Sequence, residues 1–141
     1  MAKPFSTHYT VKDMDISAGV HLGNERALMI FQKGRVDFFH HIGLSDKNIG
    51  SKIGIIIVES GVKYHREGFL HDQLIVNVAI AEIAGKKFTL RYTVIRESGG
   101  QELLSGFTTC LAFDYQLRKV VEIPDVFIEK TEHFLIEKIN Q

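Results

Sequence analysis

Two hydrophobic periods share this chain. Between 24 and 42 the apolar residues Leu28, Phe31, Phe38 and Ile42 recur at helical spacing, and Ala27, Ile30 and Phe39 widen the stripe. The pattern predicts a long helix with a broad apolar face, largely buried. Gly34 interrupts it at a cost of roughly 1 kcal/mol relative to alanine, which predicts close packing against a neighbouring backbone. Asn24 is a good N-cap type, and the helix is expected to stop near Gly43.

Beyond residue 53 the period drops to two. Residues 53–64 are rich in β-branched side chains, and 73–83 alternate through Leu74, Val76, Val78 and Ile80. Residues 87–96 alternate through Phe88, Leu90, Tyr92 and Val94, and a last long strand is expected over 102–113. Ala84-Gly85-Lys86 and the stretch from Glu97 to Gln101 read as hairpin turns. A short first strand is expected over 5–11, with Tyr9 and Val11 on one face. Pro124 suits the first position of a last helix through Phe127, Phe134, Leu135 and Ile139.

The order is strand, long helix, four strands with hairpin connections, then a terminal helix, an α+β arrangement. A curled antiparallel sheet wrapped around the long helix buries the apolar faces of both. Its free edges favour pairing with a second copy.

Composition narrows the function. With 141 residues, 1–141 is most economically a single domain. Lysine plus arginine equals aspartate plus glutamate at 17 each, so no overall charge draws it to nucleic acid or an anionic membrane. An anionic ligand has to meet a local basic patch, for which Lys63, His65 and Arg66 are candidates, with Lys86 or Lys87 across the sheet. The lone Cys110 fits a reducing compartment and a small core side chain. No apolar segment reaches the length of a signal peptide or membrane span, so a cytoplasmic protein is expected. His40-His41 point about 100° apart on a helix, and no zinc-type spacing occurs, so no metal is expected.

The most informative stretch runs from Asp13 to Asn24, Asp-Met-Asp-Ile-Ser-Ala-Gly-Val-His-Leu-Gly-Asn. It brings a carboxylate, an imidazole and a carboxamide to the start of the long helix. Unpaired amides and the positive end of the dipole there stabilise charge developing on a polarised oxygen.

These residues carry a family likeness. Asp13-Met14-Asp15 followed by Val20-His21-Leu22-Gly23-Asn24 resembles the Asp-x-Asp and Gly-His-Val-Asn-Asn of hotdog-fold acyl-CoA thioesterases, in the 4-hydroxybenzoyl-CoA thioesterase-like branch. Downstream, the stretch from Glu59 to Arg66, then His71-Asp72-Gln73-Leu74, then Ile123-Pro124, are similar in order. The resemblance implies a hotdog fold over nearly the whole length and hydrolysis of an acyl-CoA or acyl-carrier-protein thioester without a cofactor. Asp15 is then the base or nucleophile. His21 and Asn24 shape the carbonyl and water positions, and the amides of Gly23 and Asn24 polarise the oxygen.

The likeness further implies a homodimer or homotetramer with an acyl tunnel against the central helix, lined by Phe31 and Phe38. The chain departs from the pattern in three places. Five residues separate Asp15 from His21, Gly23 stands where asparagine is common, and Glu25-Arg26 replace residues often apolar. Glu25 is therefore a second candidate carboxylate. Two other readings stay open: a non-catalytic acyl-CoA or lipid-binding module, and an enoyl-thioester hydratase or dehydratase. The second lacks the Asp-x-Asn-Pro-x-His motif of that group.

Overall fold

A computed structural model describes residues 4–136. Strand β1 (Phe5–Thr10) leads into a 3-10 turn at Asp13–Asp15, then a miniature hairpin of β2 (Ile16–Ser17) and β3 (His21–Leu22). A second 3-10 turn, Asn24–Arg26, opens helix α1 (Ala27–His41). Strands β4 (Gly54–Tyr64), β5 (Gln73–Ala84), β6 (Lys87–Arg96) and β7 (Glu102–Asp114) follow. The short β8 (Lys119–Val120), helix α2 (Asp125–Thr131) and a 3-10 turn at Glu132–Phe134 complete the described chain.

Helix α1 buries one stripe: Ala27, Ile30, Phe31, Gly34, Arg35, Phe38 and Phe39. Spacings of three and four keep these side chains on one face. Leu28, expected inside, faces outward and is nearly half exposed, as are Met29 and Val36. The buried stripe meets Leu74, Val76, Val78, Leu90, Tyr92 and Val94, which alternate along β5 and β6 and belong to the same core cluster. Phe31 stacks on Tyr92 with ring centroids 4.5 Å apart, and Phe38 meets Phe134 edge-on at 5.0 Å. Cys110 lies in this core, as expected, and burial pushes its thiol up to about 12.

All strands of the main sheet run antiparallel, in the order β1-β5-β6-β7-β4, with β8 beside β7. Four successive strands with hairpin connections were expected, but β4 does not pair with β5. It crosses to the far side of the sheet and pairs with β7. Hydrophobic alternation marks a strand without naming its neighbour. Register slips leave Val58, Ala81 and Leu103 as extra residues opposite continuous partners. Such bulges bend a strand and raise its twist, which curls the sheet around α1.

Pro124 sits one position before α2, as its N-cap, because its ψ of 143° is extended. The expected last helix is thus shorter: Phe134 lies in the 3-10 turn, Leu135 bridges Ile80 of β5, and Ile139 lies outside the described residues. Arg35 is the one charged residue on the buried stripe of α1. It pairs with Asp46, with Nε to Oδ1 and Nη2 to Oδ2 both at 3.1 Å, pinning the loop after α1 to the helix.

Two glycines let the layers meet. A Cβ on Gly34 would lie 2.8 Å from Val76 Cγ1 and 3.0 Å from Val78 Cγ2, so the close approach is to side chains of β5, where a backbone neighbour was expected. On Gly106 of β7 a Cβ would collide with the Gly61 carbonyl oxygen and with the Phe31 ring. Valine tips can yield by a few tenths of an ångström; a paired backbone carbonyl cannot. Gly106→Ala is therefore expected to cost about 2–3 kcal/mol, the upper range of overpacking. For Gly34→Ala the better helix propensity offsets part of the strain, leaving a cost of about 1 kcal/mol. Urea denaturation of the two variants checks the order; equal losses would contradict it.

Candidate active site

The residues between Asp15 and His21 form β2 and the turn of the β2–β3 hairpin, which uses left-handed Ala18 (φ 56°) and Gly19 (φ 70°). The insertion thus folds up on itself and leaves its two ends together. Gly23 N–H donates to the Asp15 carbonyl at 2.8 Å, so the aspartate turn and the helix start touch through the main chain.

That bond alters the set of free amides. Gly23 N–H, expected to face a substrate oxygen, is already engaged. Gly23 itself occupies the cap position before the 3-10 turn, with no side-chain cap bond, and Asn24 is the first residue of that turn. Asn24 is therefore not the cap: its side chain is exposed and its carbonyl accepts the Tyr64 hydroxyl at 3.1 Å. Among the described residues the N–H groups left without a partner at this start are those of Asn24 and Glu25. The exposed Glu25 turns its carboxylate back over Gly23, two residues earlier. A Cβ on Gly23 would lie 2.8 Å from each of its oxygens.

Asp15 is fully buried, and its carboxylate meets three donors. Oδ2 accepts the Tyr9 hydroxyl at 2.7 Å and the Lys12 amide at 2.9 Å, and Oδ1 accepts Arg26 Nε at 2.9 Å. Burial works against the charged form, but the Lys12 amide, the Tyr9 hydroxyl and the Arg26 guanidinium together outweigh it and hold the carboxyl below its ordinary value. Burial, reinforced by the adjacent carboxylate, moves the Tyr9 phenol the other way, upward.

A cavity of about 260 Å³ opens beside this start, lined by His21, Gly23, Asn24, Tyr64, His65 and Arg66 among others. Five of these were candidates from sequence, and the fold gathers them from the loop before α1 and from the end of β4. His21 Nδ1 lies 3.0 Å from the Leu22 carbonyl, and His65 Nε2 lies 2.8 Å from Ser105 Oγ.

Other candidates are placed elsewhere. Lys63 lines a larger groove of about 620 Å³ on the outer face of the sheet, with Arg91, Phe107 and Ser105. Lys86 and Lys87 lie at the opposite end of the ladder, since Lys87 pairs with Leu111 whereas Lys63 pairs with Ser105. One patch containing both ends does not form. Phe31 and Phe38 are fully buried inside the core and line no part of the small cavity. Their apolar character serves packing against Tyr92, Phe5 and Phe134.

Tyr9, Arg26 and Tyr64 were missed as site residues. Arg26 had a signal, as a departure from the family pattern; Tyr9 and Tyr64 look like ordinary strand residues.

Residues 10–131 match the Thioesterase-like superfamily. The chain belongs to that family. Among curated proteins it is 21% identical over 129 residues to the long-chain acyl-CoA thioesterase FadM of Escherichia coli K12, covering 92% of this chain and 98% of FadM. Among solved structures it is similar to Slr0204, a 1,4-dihydroxy-2-naphthoyl-CoA thioesterase from Synechocystis. That likeness has a TM-score of 0.82 and 18% identity, over 91% of this chain and 95% of the other. It is also similar to SAV2348 from Staphylococcus aureus in complex with CoA, with a TM-score of 0.84 and 21% identity, over 100% and 90%. The curled sheet around α1 is thus a hotdog fold. No helix among the described residues is long and apolar enough to cross a membrane.

The three-donor clamp has a pH signature. The folded carboxyl of Asp15 titrates below its ordinary value of 3.8, so its contribution is complete above that value and is lost as pH falls through the folded value. Asp15→Asn is expected to cost about 1–3 kcal/mol at pH 7, with the gap to wild type closing below pH 4. Denaturant unfolding along a pH series tests this. A gap that stays constant from pH 7 to pH 3 would rule out an ionised clamp.

Proposed function

We propose that this chain is an acyl-CoA thioesterase working at the start of α1. The observation that carries the reading is the gathering of His21, Gly23, Asn24, His65 and Arg66 around one cavity at the helix start, where the Asn24 and Glu25 amides are free. Asp15 does not line that cavity and is tied to it by the bond from the Gly23 amide to its carbonyl. The family and the CoA complex of SAV2348 support the choice of acyl-CoA as substrate class.

In this mechanism the thioester oxygen rests on the free amides, which stabilise the charge it gains on attack. Asp15 takes a proton from water as the water oxygen bonds to the carbonyl carbon. The carbon–sulfur bond then breaks, and the thiolate leaving group recovers the proton from Asp15. The products are a carboxylic acid and a thiol, and water is the only co-reactant. Arg66 and His65, which line the cavity, receive the anionic end of the substrate in this reading.

With Phe31 and Phe38 in the core, the apolar wall left for an acyl chain is the outer stripe of α1, Leu28, Met29 and Val36. A second copy covers it in this reading, as it covers the open edge of β4, where Ile57 and Val58 are exposed. The site is then completed in a homodimer, with a tetramer as a further pairing.

One observation favours a second reading, a non-catalytic acyl-CoA-binding module. Asp15 is fully buried with both oxygens engaged, the state of a structural carboxylate. Thiol release from short, long and aromatic acyl-CoAs decides between the two. As a catalyst, wild type turns over at least one thioester and Asp15→Asn loses about 100-fold or more. As a module, it is thermally stabilised by an acyl-CoA that neither protein cleaves.

A further inference from the structure

The strongest unexplained feature is Arg26, whose role rests on the thioesterase reading and adds a control to it. A carboxylate offers about four lone-pair positions. Three donors occupy Asp15, and the position left over is on Oδ1, the oxygen that Arg26 Nε already covers. The aspartate side chain has no exposure, so water does not reach it while the three donors stay in place.

The donors differ in how readily they move. The Lys12 amide is main chain, and Tyr9 is a half-buried residue of β1, held in the ladder opposite Leu74. Arg26 is a long side chain, one-fifth exposed, in the 3-10 turn that opens the helix. It is the longer of the two side-chain donors, with more rotatable bonds than Tyr9, and it can swing away without unmaking the turn. Asp15 and Arg26 do not line the 260 Å³ cavity, but the main-chain carbonyl of Asp15 accepts the amide of Gly23, which does, so the carboxylate lies one residue behind the cavity wall.

We propose that Arg26 is a positioning residue acting through Asp15: its Nε–Oδ1 bond is a latch that keeps the carboxylate anionic and covered, and that opens before Oδ1 takes a proton from the attacking water. Closed, the latch ties the aspartate turn to α1. Open, it leaves Oδ2 still held by Tyr9 and Lys12, so the carboxylate keeps its aim while one oxygen is free. The covered state is the resting one, and turnover is gated by a side-chain movement of a kind common in enzymes.

Arg26→Gln tests this with two readouts. In a 13C-detected titration the Asp15 carboxyl is expected to move upward by a pH unit or more, as for a carboxylate that loses an adjacent cation. In steady-state hydrolysis of the best acyl-CoA, kcat is expected to rise at least threefold at neutral pH with KM within twofold. The same substitution in an Asp15→Asn background is expected to change neither parameter, as in a double-mutant cycle of coupled residues. Should Arg26→Gln fail to fold, Arg26→Lys keeps a cation near Asp15 and is expected to shift both readouts in the same direction by less.

An unmoved Asp15 titration, an unchanged or lower kcat, or an equal gain in the Asp15→Asn background overturns the latch. If wild type hydrolyses thioesters and Arg26→Gln does no better, only the latch fails. Turnover by the variant where wild type has none supports the latch. No turnover by either protein overturns latch and thioesterase together.

Discussion

Everything in this molecule is arranged around the burial of one face of α1. A helix whose apolar residues recur at spacings of three and four cannot satisfy that face alone, and a flat sheet would cover only part of it. The sheet therefore curls, through bulges at Val58, Ala81 and Leu103, until β5, β6 and β7 all reach the helix. Glycines stand where the two layers approach most closely, at Gly34 on the helix and Gly106 on the sheet. The one charge drawn into this face, Arg35, is neutralised by a two-point pair with Asp46.

The candidate site follows from how that helix begins. Because α1 is held by its packing, its first turn is fixed in space, and the free amides of Asn24 and Glu25 are fixed with it. The aspartate turn docks onto this start through the Gly23 amide and through Arg26. Buried ion pairs give up much of their attraction to desolvation. The Asp15–Arg26 pair is eased by the Tyr9 hydroxyl and the Lys12 amide, which help to keep the carboxylate charged.

Much of the fold was legible because periodicity reports burial. The expected strands over 73–83, 87–96 and 102–113 each end within one residue of β5, β6 and β7. What stayed hidden depends on partners distant in sequence. Nothing in the β4 segment names β7 as its neighbour, and nothing in Leu28 says that it points away from the core while Phe31 points in. At the site, His21, Gly23 and Asn24 were legible from the helix start and the family likeness, and His65 and Arg66 from their local positive charge. The bond that removes the Gly23 amide from use was invisible, because a main-chain contact leaves no trace in side-chain identity.

The crossing of β4 to the far side of the sheet shapes how the chain is made as well as how it is held. Synthesis releases β4 before β5, β6 and β7, yet its partner is the last of these. While it waits, the apolar run Ile55, Ile56, Ile57 and Val58 is an unpaired segment of the kind that recruits other chains. Glu59 follows directly, and a charge beside such a run discourages intermolecular pairing. The same late, long-range closure marks this as a slow-folding topology, in which the sheet is sealed only when the final long strand arrives.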